Sequence, residues 1–381
     1  MRIAFNATSL LSPLTGIGQY SRHLAMGLAD RQDIDAEFFY GAFWSKEVHC
    51  EPPPVAAKLL PWVRNHVPFA YALRRSMQNH QFAQRTQHQR FDIYHEPATI
   101  PLTFDGPTVL TVHDLAWIRY PQTHPPKRVQ AMNKYFEPGL RRAALILTDS
   151  EFIKRELTNM FGVQPERIRA VPLGVEPMFR PRSAEETQSL LNRYDLMHGQ
   201  YLLTVGTLEP RKNLQTVLHA YMLLPQPIRK RFPLVLAGMK GWHMSALEQQ
   251  IAPLVAAGEI RQLGYLPREE LATVVAGALA LIYPSIYEGF GLPPLEAMAC
   301  GVPVIASGVS SLPEVVGDAG LLIDPHDTEA VAQAMQRLIT DPGSRLHLSQ
   351  KALARSARFS WGKCVEQTID AYRQVLKGTP D

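Results

Sequence analysis

Residues 205–214, VGTLEPRKNL, set Arg211 and Lys212 side by side beyond an apolar run and before a helical pattern. Two adjacent cations there can neutralise a diphosphate, the arginine through its planar fork and the lysine as a compact charge. A helix start disfavours cations, so dipole complementarity does not account for the pair. A second cluster, EGFGLPPLEAMACGVP at 288–303, follows the apolar stretch 280–287. Gly289 and Gly291 let backbone approach a ligand closely. Pro293 and Pro294 fix φ, and one suits the first turn of the helix containing residues 295–299. The opening of that helix is expected to offer N–H groups to a phosphate. Glu288 and Glu296, separated by the loop, are expected to meet different parts of an extended polar ligand.

Two further pieces belong to the first half of the chain. TGIGQY, residues 15–20, is expected to be a flexible loop whose amides face a phosphate or sugar. It is not GxGxxG, because position 21 is Ser21, so a dinucleotide fingerprint fails and a nicotinamide dehydrogenase is a poor fit. In TVHDLAW, residues 111–117, His113 follows a strand. Its spacing alone leaves a structural and a catalytic role both open.

The elements that must position these residues follow from hydrophobic pattern. Strands are expected at Arg2–Asn6, 38–40, 93–95, Thr108–Val112 and 145–147, with a helix near 18–29. Short apolar strands alternating with helices point to a parallel sheet covered on both faces. The proline-rich segment 170–180, AVPLGVEPMFR, reads as an interdomain linker. A second series follows, with strands at 201–205, Leu234–Ala237, 260–263, Ala280–Tyr283, 304–306 and 320–323, and a last helix over 361–376. The expected fold is therefore α/β, with two Rossmann-like domains facing each other across a cleft. Ligands should bind beyond the carboxyl ends of the strands. The expected divisions are residues 1–175, 176–360 and 361–381.

Composition bounds the rest. Of 381 residues, 46% are hydrophobic and 19% charged, enough apolar material for ordinary globular cores. No apolar run approaches the roughly 20 residues a membrane span needs. The opening MRIAFNATSLL reads as a buried strand rather than a leader. Three scattered cysteines with no CxxC pair favour neither a disulfide framework nor structural zinc, and the expected compartment is cytoplasmic. A net charge of +4 does not call for nucleic acid. Between Glu51 and Asp92, however, there is no acidic residue, while Lys58, Arg64, Arg74, Arg75, Arg85 and Arg90 alternate with Trp62, Phe69, Tyr71, Leu73 and Phe82. This is either a helix with its apolar side in the core or a surface that meets anionic lipid or an anionic acceptor.

Taken together, TGIGQY, TVHDLAW, LTDSEFIKREL, AVPLGVE, VGTLEPRKNL and EGFGLPPLEAMACGVPVIAS resemble, in order and over nearly the whole chain, the retaining GT-B glycosyltransferases of family four. The resemblance implies that Glu288 holds donor-sugar hydroxyls, with Gly289, Phe290 and Gly291 nearby. Glu296, next to Leu295, would bind the ribose. Arg211 and Lys212, with Gly206 and Thr207, would stabilise the diphosphate as it leaves. His113 would lie beside sugar and acceptor, Tyr265 and Leu266 would line the base, and Gly16 and Gly18 would meet donor phosphates or acceptor. It also implies an N-terminal acceptor domain, a C-terminal donor domain and a final helix packed back onto the first. Catalysis would need no metal or other cofactor. Asp33-Ile34-Asp35 fits the DxD pattern of metal-dependent transferases, but it falls in a polar link and is read as chance.

The wording of EGFGLPPLEA and of the NATSL…TGIGQYS opening looks most like enzymes using GDP-mannose in surface-polysaccharide assembly. The partners implied are a nucleotide sugar and an oligosaccharide or lipid-linked saccharide acceptor at the inner face of the membrane. UDP-glucose as donor, a phosphorylase or sucrose/trehalose-type reaction, and a non-catalytic sugar-nucleotide-binding protein stay open as alternatives.

Overall fold

A computed structural model describes residues 1–12, 16–50, 70–239, 241 and 245–378. By contacts the chain forms two units: Met1–Asp114 with Gln130–Leu173 and Trp361–Asp381, and Leu115–Val129 with Gly174–Ser360. The 115–129 excursion into the second unit has no signature in the apolar pattern.

The first unit holds β1 (Arg2–Asn6), β2 (Asp35–Phe39), β3 (Trp44–Ser45), β4 (Ile93–Glu96), β5 (Thr108–Val112), β6 (Leu145–Thr148) and β7 (Ile168–Ala170), in spatial order β3-β2-β1-β4-β5-β6-β7. All neighbours run parallel except β3, which returns antiparallel on β2. Strand β5 is buried at every position, because helices cover both faces of a parallel sheet. The Trp361–Lys377 helix belongs to this unit. Its Val365 presses on Gly27 of the Gly16–Ala29 helix, where an added Cβ would come within 2.6 Å of a valine methyl. His23 stacks on Trp361 with centroids 4.4 Å apart, and Tyr372 hydrogen-bonds His95.

The second unit holds β8 (Leu202–Val205), β9 (Leu234–Ala237), β10 (Ile260–Gly264), β11 (Ala280–Tyr283), β12 (Val304–Ser307) and β13 (Leu321–Ile323), all parallel, in the order β10-β9-β8-β11-β12-β13. The four central strands are wholly buried and near-continuously apolar; the edges β10 and β13 alternate inward and outward positions. Strand order reverses between β8 and β11, and in the first unit between β1 and β4. Such switch points open a crevice at the carboxyl ends of the strands. The β8/β11 switch is where Arg211, Lys212 and Glu288 converge.

Two expectations on local structure change. The helix of the first unit begins at Gly16, so Gly16 and Gly18 form its first turn rather than a free loop. Strands β3 and β7 have no apolar run long enough to announce them. Of the basic segment 58–90, residues 58–69 lie outside the described residues. The described remainder forms the Ala70–His88 helix, whose Phe82 is fully buried in a hydrophobic cluster with Phe39, Tyr94 and Leu102. Arg85 pairs with Glu37 at 3.0 Å, and Arg75 donates to the Pro101 carbonyl at 2.7 Å. These three side chains follow the core reading.

Candidate active site

At the carboxyl ends of β8 and β9 the backbones come too close for side chains. Gly238 has φ +151°, and a Cβ there would lie 1.9 Å from the Gly206 carbonyl oxygen. The stem of Lys212 passes over Gly206. A 3-10 turn over Pro210–Lys212 then turns both cations toward the end of β11. Asn213, in the left-handed region at φ 56°, closes the turn and starts the Leu214–Leu223 helix.

The loop after β11 brings Glu288 to these cations. Lys212 Nζ donates to Glu288 Oε1 at 2.6 Å and to the Tyr283 hydroxyl at 2.5 Å. Arg211 Nη1 donates to Glu288 Oε2 at 2.9 Å and to the Tyr287 carbonyl at 2.7 Å; its Nη2 donates to Glu209 Oε1 at 2.7 Å. Tyr283 and Ser285 hydroxyls donate to Glu288 Oε1 at 2.9 and 2.7 Å. Two cations thus face two carboxylates, Glu209 and Glu288, in a buried, charge-balanced group. Burial alone would raise the Glu288 carboxyl, but the Arg211 and Lys212 charges and the Lys212 and Ser285 hydrogen bonds overcome it and hold the pKa at about 2. Burial pushes the Lys212 ammonium below its ordinary range, Glu288 opposing and Arg211 adding. The third N–H of Lys212 has no protein partner among the described residues. The chemistry on offer is anion stabilisation by two fixed cations beside an ionised carboxylate.

Glu296 sits apart from this group, on the Leu292–Ala299 helix. It accepts from Arg268 Nη2 at 2.8 Å, and Arg268 also donates through Nε to Glu176 at 2.8 Å. Burial raises the Glu296 carboxyl, Arg268 opposes this, and Glu176 adds to the rise. Arg268 is therefore the cation that keeps two buried carboxylates compatible. Its guanidinium also lies 4.6 Å from the Phe179 ring. Sequence reasoning missed Arg268 and Glu176, which are 92 residues apart; only the acid in GVE hinted at the pair. Arg268→Ala should weaken nucleotide binding about tenfold or more, since a truncated buried pair strands its partner charge. Titration of GDP and UDP by calorimetry checks it, and unchanged affinity contradicts the role.

The Leu292–Ala299 helix starts after Gly291, whose φ of +122° excludes a side chain without strain. Leu292, Pro293 and Pro294 form its first turn. Two of those three positions lack an N–H, so the helix opening offers less to a phosphate than expected. Leu295 is fully buried, and Phe290 and Leu266 are nearly so, at 5% and 6% exposure; Tyr265 is exposed. Gly289 and Thr207 lie in the loops after β11 and β8.

His113 belongs to the first unit, at the end of β5. Its Nδ1 faces Asp149 Oδ2 at 2.7 Å and its Nε2 faces the Pro97 carbonyl at 2.7 Å. Both partners accept, so both ring nitrogens must donate, which is the imidazolium form. Burial disfavours that charge; Asp149 and the Pro97 carbonyl outweigh it and raise the pKa. In this geometry no lone pair is left to take a proton. Neighbouring strand ends carry Asn6 and Glu96, which sequence reasoning did not single out. Asn6 Nδ2 and the Tyr94 hydroxyl donate to Glu96 Oε2 at 2.7 and 2.6 Å, and burial raises the Glu96 pKa to about 7 against those bonds. Buried polar residues at four adjacent strand ends make this edge a second candidate surface.

Comparison with known proteins completes the picture. A family model described as glycosyl transferases group 1 matches residues 196–355, and one described as glycosyltransferase family 4 matches residues 14–179. The chain is 39% identical to O-antigen chain mannosyltransferase B of Escherichia coli, over 98% of this chain and 100% of that one. The fold is like that of sucrose-phosphate synthase from Thermosynechococcus elongatus, with a TM-score of 0.76 at 22% identity and full coverage of both chains. It is also like Anabaena Alr3699/HepE in complex with UDP-glucose, with a TM-score of 0.75 at 18% identity over 98% of this chain and 100% of that one. Among the described residues no helix is long and apolar enough to cross a membrane. With two parallel-sheet α/β units and these matches across both, the chain belongs to the group 1, family 4 glycosyltransferases of GT-B fold and is a glycosyltransferase.

Proposed function

We propose that this enzyme transfers mannose from GDP-mannose, with retention of configuration, to an oligosaccharide or lipid-linked saccharide acceptor in surface-polysaccharide assembly. The observation that carries the chemistry is the buried group of Arg211, Lys212 and Glu288 at the β8/β11 switch point. Likeness to a full-length O-antigen mannosyltransferase supports the sugar. The second unit holds the donor. Arg211 and Lys212 meet the diphosphate, and Glu288, ionised well below neutral pH, accepts hydrogen bonds from sugar hydroxyls. Glu296 receives the ribose, and Gly206, Thr207 and the 289–291 loop let backbone approach the phosphates.

The anomeric C–O bond to phosphate breaks as the acceptor oxygen bonds to the same face of C1. The acceptor proton passes to the departing phosphate oxygen. Charge develops on that phosphate beside two fixed cations, which supply electrostatic stabilisation in place of a metal. His113, doubly hydrogen-bonded, acts as a positioning group in the acceptor unit rather than as the base.

Purified enzyme with GDP-mannose and a mannose-terminated acceptor should yield an α-linked product with undiminished turnover in EDTA. Proton NMR of the product reads the anomer. Turnover abolished by EDTA and restored by manganese overturns the metal-free reading, and transfer from UDP-glucose alone overturns the donor. Release of sugar phosphate with inorganic phosphate favours the phosphorylase alternative.

Contact with anionic membrane rests on Lys58, Arg64, Arg74 and Arg90 of the basic segment. Flotation with vesicles containing about a third phosphatidylglycerol should carry the enzyme at low salt and release it as screening rises. Equal flotation with neutral vesicles contradicts this.

A further inference from the structure

The second unit contains a cavity of about 570 Å³ that the transfer chemistry leaves unused. Its lining includes Tyr120, Ile286, Val309, Leu322, Asp324 and His326. The volume falls in the roughly 300–1,000 Å³ range of small-molecule sites. It opens at the carboxyl ends of β11, β12 and β13, on the opposite side of β8 from β9 and β10. Val309 and Leu322, both 38% exposed, supply two branched apolar faces to its lining. Beside them stand a tyrosine ring, a carboxylate and an imidazole. Asp324 Oδ1 accepts from the His326 amide at 2.8 Å, which fixes the carboxylate on a tight turn.

This lining combines apolar faces with hydrogen-bonding groups and includes no lysine or arginine. A phosphate would meet a carboxylate and no fixed cation. A pyranose presents the matching pattern, C–H faces for Tyr120 and the branched residues and hydroxyls for Asp324 and His326.

The cavity is built onto the active site. Asn213, directly after Lys212, donates through Nδ2 to the Pro284 carbonyl at 3.1 Å and the Pro325 carbonyl at 2.6 Å, tying the cavity rim to the cation turn. Ile286 lies two residues before Glu288, and its N–H donates to the Arg211 carbonyl at 3.0 Å. Tyr120 packs on Tyr287 at 5.7 Å between centroids, and the Leu115 N–H donates to the Tyr287 hydroxyl at 3.2 Å. Tyr287 in turn accepts from Arg211 through its carbonyl.

We infer that this cavity is a saccharide subsite, which holds a mannose unit of the acceptor chain while the transfer group at Glu288 works on another. The inference rests on the mannosyl-transfer reading for the identity of the sugar. A ligand seated there would hold Ile286 and Tyr287, and with them the loop that delivers Glu288.

The test uses the full chain with linear α-linked mannotetraose as probe and no nucleotide, followed by calorimetry and saturation-transfer NMR. Tyr120→Ala and the surface variant Leu322→Asp should each weaken binding about tenfold, the scale of one lost stacking face. GDP-induced thermal stabilisation should stay unchanged in both, which shows the fold and the donor site intact. Binding indifferent to both variants, no binding to wild type, or preference for an octyl chain over the sugar each overturns the subsite. If the wild type transfers mannose yet binding ignores Tyr120 and Leu322, the subsite fails while the function stands. If it transfers no mannose at all, the function fails first.

Discussion

Lys212→Ala should lower kcat by at least ~100-fold, the loss seen when one preorganised electrostatic stabiliser is removed. Lys212 Nζ is spent on Glu288 and Tyr283 with one N–H to spare, in a site where its side chain is 13% exposed. A cation in so little water stabilises a departing phosphate far better than a solvated one. Arg211→Ala should lose as much, because its fork also orders Glu209 and the Tyr287 carbonyl. The charge on the leaving group grows toward the transition state, so kcat should fall more than donor KM rises. Arg211→Lys tests geometry separately from charge. A lysine cannot serve Glu209 and Glu288 with one planar group, so it should recover little. Steady-state rates, normalised to folded protein by circular dichroism, decide the matter. Full activity in both alanine variants contradicts the assigned roles.

These residues could be picked out as candidates because the chain announces them locally. Arg211 and Lys212 are adjacent, and Glu288 and Glu296 share one short motif with glycines and prolines at telling positions. The central strands were readable for a related reason: β8, β9 and β11 are buried on both faces, so their apolar runs are unbroken. What stayed hidden depends on contacts between distant segments. Strand β3 is two residues long and exists by pairing back on β2, with Phe38 opposite Ser45 and Phe39 opposite Trp44. Arg268 looks like an ordinary first-turn residue of the Arg268–Ala276 helix until Glu176 and Glu296 arrive beside it. The strand-end row of Asn6, Glu96, His113 and Asp149 is assembled by sheet order, which no window of sequence displays. The pairing of Glu288 with both cations was likewise invisible. The sequence suggested separate sugar and phosphate contacts, whereas Arg211, Lys212 and Glu288 pair internally with one another. On the proposed reading, donor phosphates compete with Glu288 for N–H groups of Arg211 and Lys212, and sugar hydroxyls take the carboxylate oxygens as the cations turn to phosphate.

That internal pairing makes Glu288→Gln the most informative stability variant. At neutral pH the substitution leaves Arg211 and Lys212 with Glu209 as their remaining carboxylate, in a group that is nine-tenths buried. Stranding a buried charge costs about 3–5 kcal/mol, so the variant should unfold at markedly lower denaturant and transfer no sugar. The pH dependence separates charge from shape. The Glu288 carboxyl is held at about 2 in the folded protein against an ordinary value of 4.5. Its ionisation therefore stabilises the fold fully above about 4.5, and this contribution fades as pH falls toward about 2. Glutamine has no such titration. The stability gap between wild type and Glu288→Gln, read from urea melts, should be widest near pH 7 and should narrow steadily below about 4.5. Acid-sensitive groups outside the cluster of Glu209, Arg211, Lys212 and Tyr283 are common to both proteins and cancel in the difference. A gap that stays constant down to pH 3 means that the carboxylate acts through packing and hydrogen bonds alone. In that case Arg211 and Lys212 are not held in place by its charge.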